Sequence, residues 1–204
     1  MQKSILNYIL KPNVLKILFY ILVSISWIST LFNHGFRFTP SIKDLGSLAW
    51  VLILFVIFVS LLNKLFISFK IPNPVLPRIL FLRKQAGIFF YLIAFSHAGL
   101  YLAQFPANPI QYAFSPIYAT GFGSLAMLIL LPVFITSTEF AVRKLGFKLW
   151  KNIQRLTHVG FVLIALHVAL LNYFINSRIH FDAILILALY FLGYFILFLK
   201  RRTN

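Results

Sequence analysis

The sequence predicts an all-α integral membrane bundle of six transmembrane helices with both termini in the cytoplasm. Three observations carry that expectation. Hydrophobic residues make up 61% of the 204-residue chain and charged residues only 11%, with a mean hydropathy of +0.91. A soluble domain carries about 25% charged residues. Six apolar runs are each near the length at which a helix crosses about 30 Å of hydrocarbon. Basic residues alternate from one connection to the next: all but three of the 19 Lys and Arg lie at the termini and in the second and fourth connections. Only Arg37, Lys43 and Arg178 fall on the opposite side, so the basic side is assigned to the cytoplasm.

The runs are Ile17–Phe32, Ala49–Phe69, Ala86–Phe105, Ala119–Thr138, Leu156–Ile175 and Phe181–Leu199. In lipid each must satisfy its own backbone polar groups, which only a helix does within one segment. The first is followed by Asn33-His34-Gly35 rather than small residues of a cleavage site, so it reads as a retained span. The second holds Lys64 near one end, where a long side chain reaches the headgroups. The fourth contains Pro132, tolerated as a kink in a spanning helix. The segments Asn33–Ser47, Pro106–Tyr118 and Asn176–His180 are expected to face outward as loops.

Several function classes are set aside. The net charge of +16 sits between apolar runs, not along a polar face, and fits anionic lipid headgroups better than nucleic acid. No Cys is present, so this chain provides neither disulfides nor iron–sulfur ligands. No connection is long enough for a nicotinamide or flavin domain, and no G-x-G-x-x-G occurs. Residues 1–204 read as a single domain, without the internal repeat of an inverted-repeat transporter. Asp44, Glu139 and Asp182 all fall at run edges, so no carboxylate relay crosses the bilayer.

Ionisable residues inside spans are costly and default to functional candidates. His97, His158 and His167 qualify, while His34 and His180 sit in outward loops and read as interfacial residues. His97 follows Arg83 by 14 residues and His167 follows Arg155 by 12. At about 1.5 Å per residue both lie roughly 18–21 Å from their basic edge, in the outer half of the bilayer. Two imidazoles at one depth on parallel-running helices suit ligation of one iron from opposite faces, the arrangement of electron-transfer hemes. Structural, hydrogen-bonded histidines are the alternative. Gly160 shares the face of His167 about 10 Å nearer the cytoplasm, and Ala94 lies one turn before His97. Both fit either room for a flat macrocycle or ordinary close packing of helices. His158, nine residues before His167, points the other way. It is open as a second-site ligand, a quinone contact, a propionate partner or an interhelical hydrogen-bonding residue.

These residues sit in a pattern that resembles the ferric-reductase-like transmembrane superfamily and, within it, the MsrQ/YedZ proteins. The resemblance runs through Leu82-Arg83-Lys84-Gln85-Ala86-Gly87 to Ser96-His97, then Thr136-Ser137-Thr138, Arg143-Lys144-Leu145-Gly146 and Trp150 to His167. Asn33-His34-Gly35 and the Pro40 to Asp44 stretch also match. The resemblance implies a heme b on His97 and His167 of a multi-pass protein in the bacterial inner membrane. It implies electrons from a cytoplasmic flavin reductase or the quinone pool, passed to a periplasmic molybdopterin-containing methionine sulfoxide reductase. An FMN site is also associated with the family. There are departures: Gln154 stands where the family has a further histidine, His158 where it has a tyrosine, and one extra residue separates Gly146 from Trp150. The rival readings are a ferric or other metal reductase component, and a non-redox membrane scaffold or permease.

Overall fold

A computed structural model describes residues 12–33, 38–104, 107–114, 119–176 and 181–202. His34, Arg37, Arg178 and His180 lie outside the described residues, as do Lys3 and Lys11. Every element among the described residues is a helix: α1 (Pro12–Asn33), α2 (Phe38–Ser68), α3 (Leu76–Leu80), α4 (Leu82–Leu102), α5 (Pro109–Ala113), α6 (Thr120–Ile135), α7 (Glu139–Asn176) and α8 (Phe181–Arg202).

Five of them, α1, α2, α4 (with α3), α7 and α8, contain stretches long and apolar enough to cross a membrane. The fourth apolar run, expected as the fourth of six spans, forms α6, a shorter apolar helix of 16 residues. At about 1.5 Å per residue it covers roughly 24 Å. Its end is fixed by three hydroxyl residues. Thr136 Oγ1 donates to the Pro132 carbonyl at 2.6 Å and Ser137 Oγ to the Val133 carbonyl at 2.7 Å. Thr138 Oγ1 then accepts from the Ala141 N–H at 3.2 Å, capping the start of α7.

Two helices differ from their expected limits. α2 begins at Phe38, so most of the expected outward loop is helical. Hydropathy marks where lipid begins, not where hydrogen bonding stops, and Lys43, Asp44 and Ser47 continue the helix beyond the apolar stretch. α7 starts well before its apolar run and bends at Gly146, whose φ of 72° and ψ of 154° leave the helical region. That conformation is essentially restricted to glycine. Gly146→Ala is therefore expected to destabilise the fold by about 1–3 kcal/mol, seen as a lower thermal midpoint of the purified protein.

The core forms where α2 and α4 pack along most of their lengths, with α6 and α7 as a second pair and α8 against α7 and α2. On α2 the buried stripe is Leu45, Ala49, Leu52, Ile53, Val56 and Ile57; on α4 it is Ala86, Phe90 and Ile93. These steps of three and four residues keep one face inward. His97 continues the α4 stripe by four more residues, so it enters the bundle, not the lipid. Trp50 stacks on the fully buried Phe161 with centroids 6.1 Å apart, tying α2 to α7. Tyr91 stacks on Phe134 at 4.5 Å, tying α4 to α6. The exterior is apolar: Leu22, Ile25 and Phe32 on α1 and Leu185, Phe191 and Phe195 on α8 are each more than half exposed, among others. An exposed apolar area of this extent is a lipid-facing surface.

Candidate functional site

His97 on α4 and His167 on α7 face each other across the bundle. Their ring centroids are 6.5 Å apart and their planes cross at 76°. Imidazole nitrogens bind a metal at about 2.0–2.1 Å, so two rings on opposite sides of one ion have centroids roughly 6 Å apart. The separation of the pair therefore suits one metal between them.

The backbone also fixes which nitrogen is available. His97 Nδ1 lies 2.7 Å from the Ile42 carbonyl on α2, and His167 Nδ1 lies 3.0 Å from the Ala119 carbonyl just before α6. A carbonyl only accepts, so each Nδ1 carries the proton and donates it. Each Nε2 is then left with a free lone pair, the tautomer a metal ligand requires. Ala119 presents its carbonyl from a left-handed turn with φ 59°, fully buried.

Two glycines make room for the rings. A Cβ on Gly46 of α2 would lie 3.0 Å from His97 Cε1 and 3.2 Å from its Nδ1. A Cβ on Gly123 of α6 would lie 3.2 Å from His167 Nδ1 and 3.3 Å from its Cε1. Each imidazole thus lies directly on the backbone of a neighbouring helix. Sequence reasoning missed both residues. No sequence signal marks them: each stands one turn along the helix from a carbonyl that orients a histidine, near the N-terminal ends of α2 and α6, a relation that exists only in the folded chain. Gly160 is used differently, since the Leu130 side chain fills the space over it and a Cβ there would come within 2.6 Å. Ala94 packs against the buried core beside Ile93.

Among the described residues no group of three or more His, Cys, Asp or Glu stands together. A metal at this pair would take two protein nitrogens and draw its remaining ligands from elsewhere. A porphyrin supplies four in a plane, and its two axial positions match two facing imidazoles. The donor set and the glycine cradle therefore fit a heme.

His158 lies away from this pair. Its Nδ1 is 2.9 Å from the Tyr190 hydroxyl and its Nε2 3.4 Å from the Tyr194 hydroxyl. Lys64 Nζ donates to Tyr194 at 2.8 Å. The result is a polar cluster joining α2, α7 and α8. Gln154, at the position where the resembled family usually has a further histidine, acts on the end of α6. Its Nε2 donates to the Val133 carbonyl and to Thr136 Oγ1, both at 3.3 Å, beside Trp150 Nε1 donating to the Thr136 carbonyl at 3.0 Å. Those carbonyls are among the last in α6, which the helix itself leaves unpaired.

With this geometry in view, the comparisons are informative. The family described as ferric reductase like transmembrane component matches residues 45–165 and so takes in α4, α6 and His97, ending just short of His167. The chain is 35% identical over 91 residues to the magnetosome protein MamZ of Magnetospirillum gryphiswaldense, covering 43% of this chain and 14% of that protein. It is 36% identical over 90 residues to the protein-methionine-sulfoxide reductase heme-binding subunit MsrQ of Deinococcus radiodurans, covering 42% of this chain and 44% of that protein. The matched stretch therefore spans less than half the length of either relative. No solved structure matches the chain.

Proposed function

We propose, since the chain belongs to the ferric reductase like transmembrane component family, that it is a b-type heme electron-transfer subunit of a bacterial inner membrane. The observation that carries the proposal is the facing pair His97 and His167, each with Nδ1 bound to a backbone carbonyl and Nε2 free. A heme held there would supply a one-electron iron couple, with His97 and His167 as its ligands from this chain. The chain's own residues do the rest. His97 and His167 provide the ligating nitrogens; the Ile42 and Ala119 carbonyls hold the ring orientation; Gly46 and Gly123 admit the rings. The apolar stripe of Leu45, Ala49, Phe90 and Ile93 excludes water, which favours the less charged reduced state.

In this reading α6 is the fourth of six spans, the basic side with both termini is cytoplasmic, and residues 1–204 form one heme domain. Electrons enter at the basic face from a cytoplasmic flavoprotein or the quinone pool and leave to a periplasmic acceptor. The Deinococcus relative's name, which pairs heme binding with methionine sulfoxide reduction, favours a molybdopterin-containing methionine sulfoxide reductase as that acceptor. A ferric ion or other metal complex is the competing acceptor. The experiment is a deletion strain grown under oxidant stress. Loss of periplasmic methionine sulfoxide repair, restored by the gene but not by its His97→Ala form, supports the first acceptor. Normal repair together with lost ferric reduction at the cell surface overturns it.

A further inference from the structure

Below the two histidines, toward the basic side, a cavity of about 350 Å³ opens between α2, α4, α6 and the first half of α7, beside the end of α3. Gly87, ten residues before His97, lies in its wall, roughly 15 Å along the helix from that histidine. The cavity is separate from the pair. Its walls are apolar, with Val56, Phe90, Leu130 and Phe134 among them, and its rim carries Arg83 and Lys84. Among the described residues neither cation is shown in a hydrogen bond or an ion pair with an acid, even though Glu139 also lines the rim; Arg83 interacts electrostatically with the Tyr194 hydroxyl of α8. A Cβ on Gly87 would meet nothing within 4 Å, so this wall faces open space.

The rim lies at headgroup level. The segment running from Glu139 through the Gly146 bend exposes Phe140 and Phe147 and carries Arg143, Lys144, Lys148 and Lys151. Lys144 Nζ stands 5.3 Å over the Phe140 ring and Lys151 Nζ 5.6 Å over the Phe147 ring. Aromatic and aliphatic side chains beneath a layer of ammonium groups are the signature of a segment lying in a membrane interface. An occupant of the cavity therefore meets two cations without an acidic partner among the described residues at headgroup depth, and an apolar wall deeper in.

We propose that this cavity binds one anionic phospholipid, with its phosphate on Arg83 and Lys84 and the upper acyl chain against Phe90, Phe134 and Val56. A neutral occupant would leave those two cations uncompensated at the edge of the hydrocarbon, which is costly, and a zwitterionic headgroup would bring a cation of its own beside them. An anionic headgroup pairs them, and basic pockets between spans on the cytoplasmic side are where such headgroups bind. The inference does not depend on the heme reading.

The test is native mass spectrometry of the full chain in mild detergent, titrated separately with phosphatidylglycerol, phosphatidylcholine and inorganic phosphate. One phosphatidylglycerol is expected to bind about tenfold more tightly than phosphatidylcholine, with Arg83→Gln removing that preference. Gly87→Phe fills the open wall and is expected to abolish the adduct while the protein stays monodisperse. If Gly87→Phe does not fold, Arg83→Gln decides alone. Equal binding of phosphatidylcholine overturns the proposal, as does phosphate competing at the lipid's own concentration. So does a quinone or FMN that displaces bound phosphatidylglycerol and binds more tightly at Arg83.

Discussion

His97→Ala and His167→Ala are each expected to yield protein without heme. Each removes one of two axial nitrogens, and no other described His, Cys, Asp or Glu groups with the survivor to replace it. The remaining imidazole stays hydrogen-bonded to its carbonyl, so the fold has little reason to change. Added imidazole is expected to restore part of the heme, because the truncation leaves a space of that shape. His158→Phe serves as the contrast. Its ring bonds Tyr190 and Tyr194 rather than facing the pair, so heme content is expected to be unchanged. The measurement is the ratio of heme to protein after purification, with size-exclusion profiles as the check on folding. Normal heme in both alanine variants would remove the site.

Gly46→Val and Gly123→Val are expected to have the next largest effect, at positions that lie against the two histidine rings. Even a Cβ at Gly46 or Gly123 would sit 3.0–3.2 Å from the nearest histidine ring atom, and a branched side chain sits closer still. Each ring would have to rotate, breaking its Nδ1 hydrogen bond and turning Nε2 off axis. Overpacking of this kind costs about 1–3 kcal/mol. On the affinity scale that is roughly a 5- to 150-fold weaker hold on heme. Alanine at either position should produce a smaller loss of the same kind. The readout is heme retention during dilution, and wild-type retention in both valine variants would contradict the cradle described above.

The pairing of His97 with His167 was legible because depth is. Counting residues from Arg83 and Arg155 puts both rings at one level, and in the structure their centroids lie 6.5 Å apart with the planes nearly perpendicular. The multi-pass helical character followed directly from composition. What could not be read are contacts made across helices. Gly46 and Gly123 carry no local signal, since their role exists only once α2 lies on α4 and α6 on α7. Gly160 read from sequence as either room for a macrocycle or close helix packing, and in the structure Leu130 from α6 occupies its space. The Thr136-Ser137-Thr138 motif stood out as a pattern. Its work, closing α6 and starting α7, appears only with the Pro132 and Val133 carbonyls and the Ala141 amide in place. Helix limits were misjudged where polar residues extend a helix past the apolar stretch, as at Phe38.

The central claim is tested most directly by the spectrum of the purified full chain, as absorption before and after dithionite and as low-temperature electron paramagnetic resonance of the oxidised form. Two imidazole ligands predict a sharp b-type alpha band on reduction and a low-spin ferric signal. A colourless preparation with no extractable heme, or a ferric heme that is high-spin with one open axial position, would contradict the account.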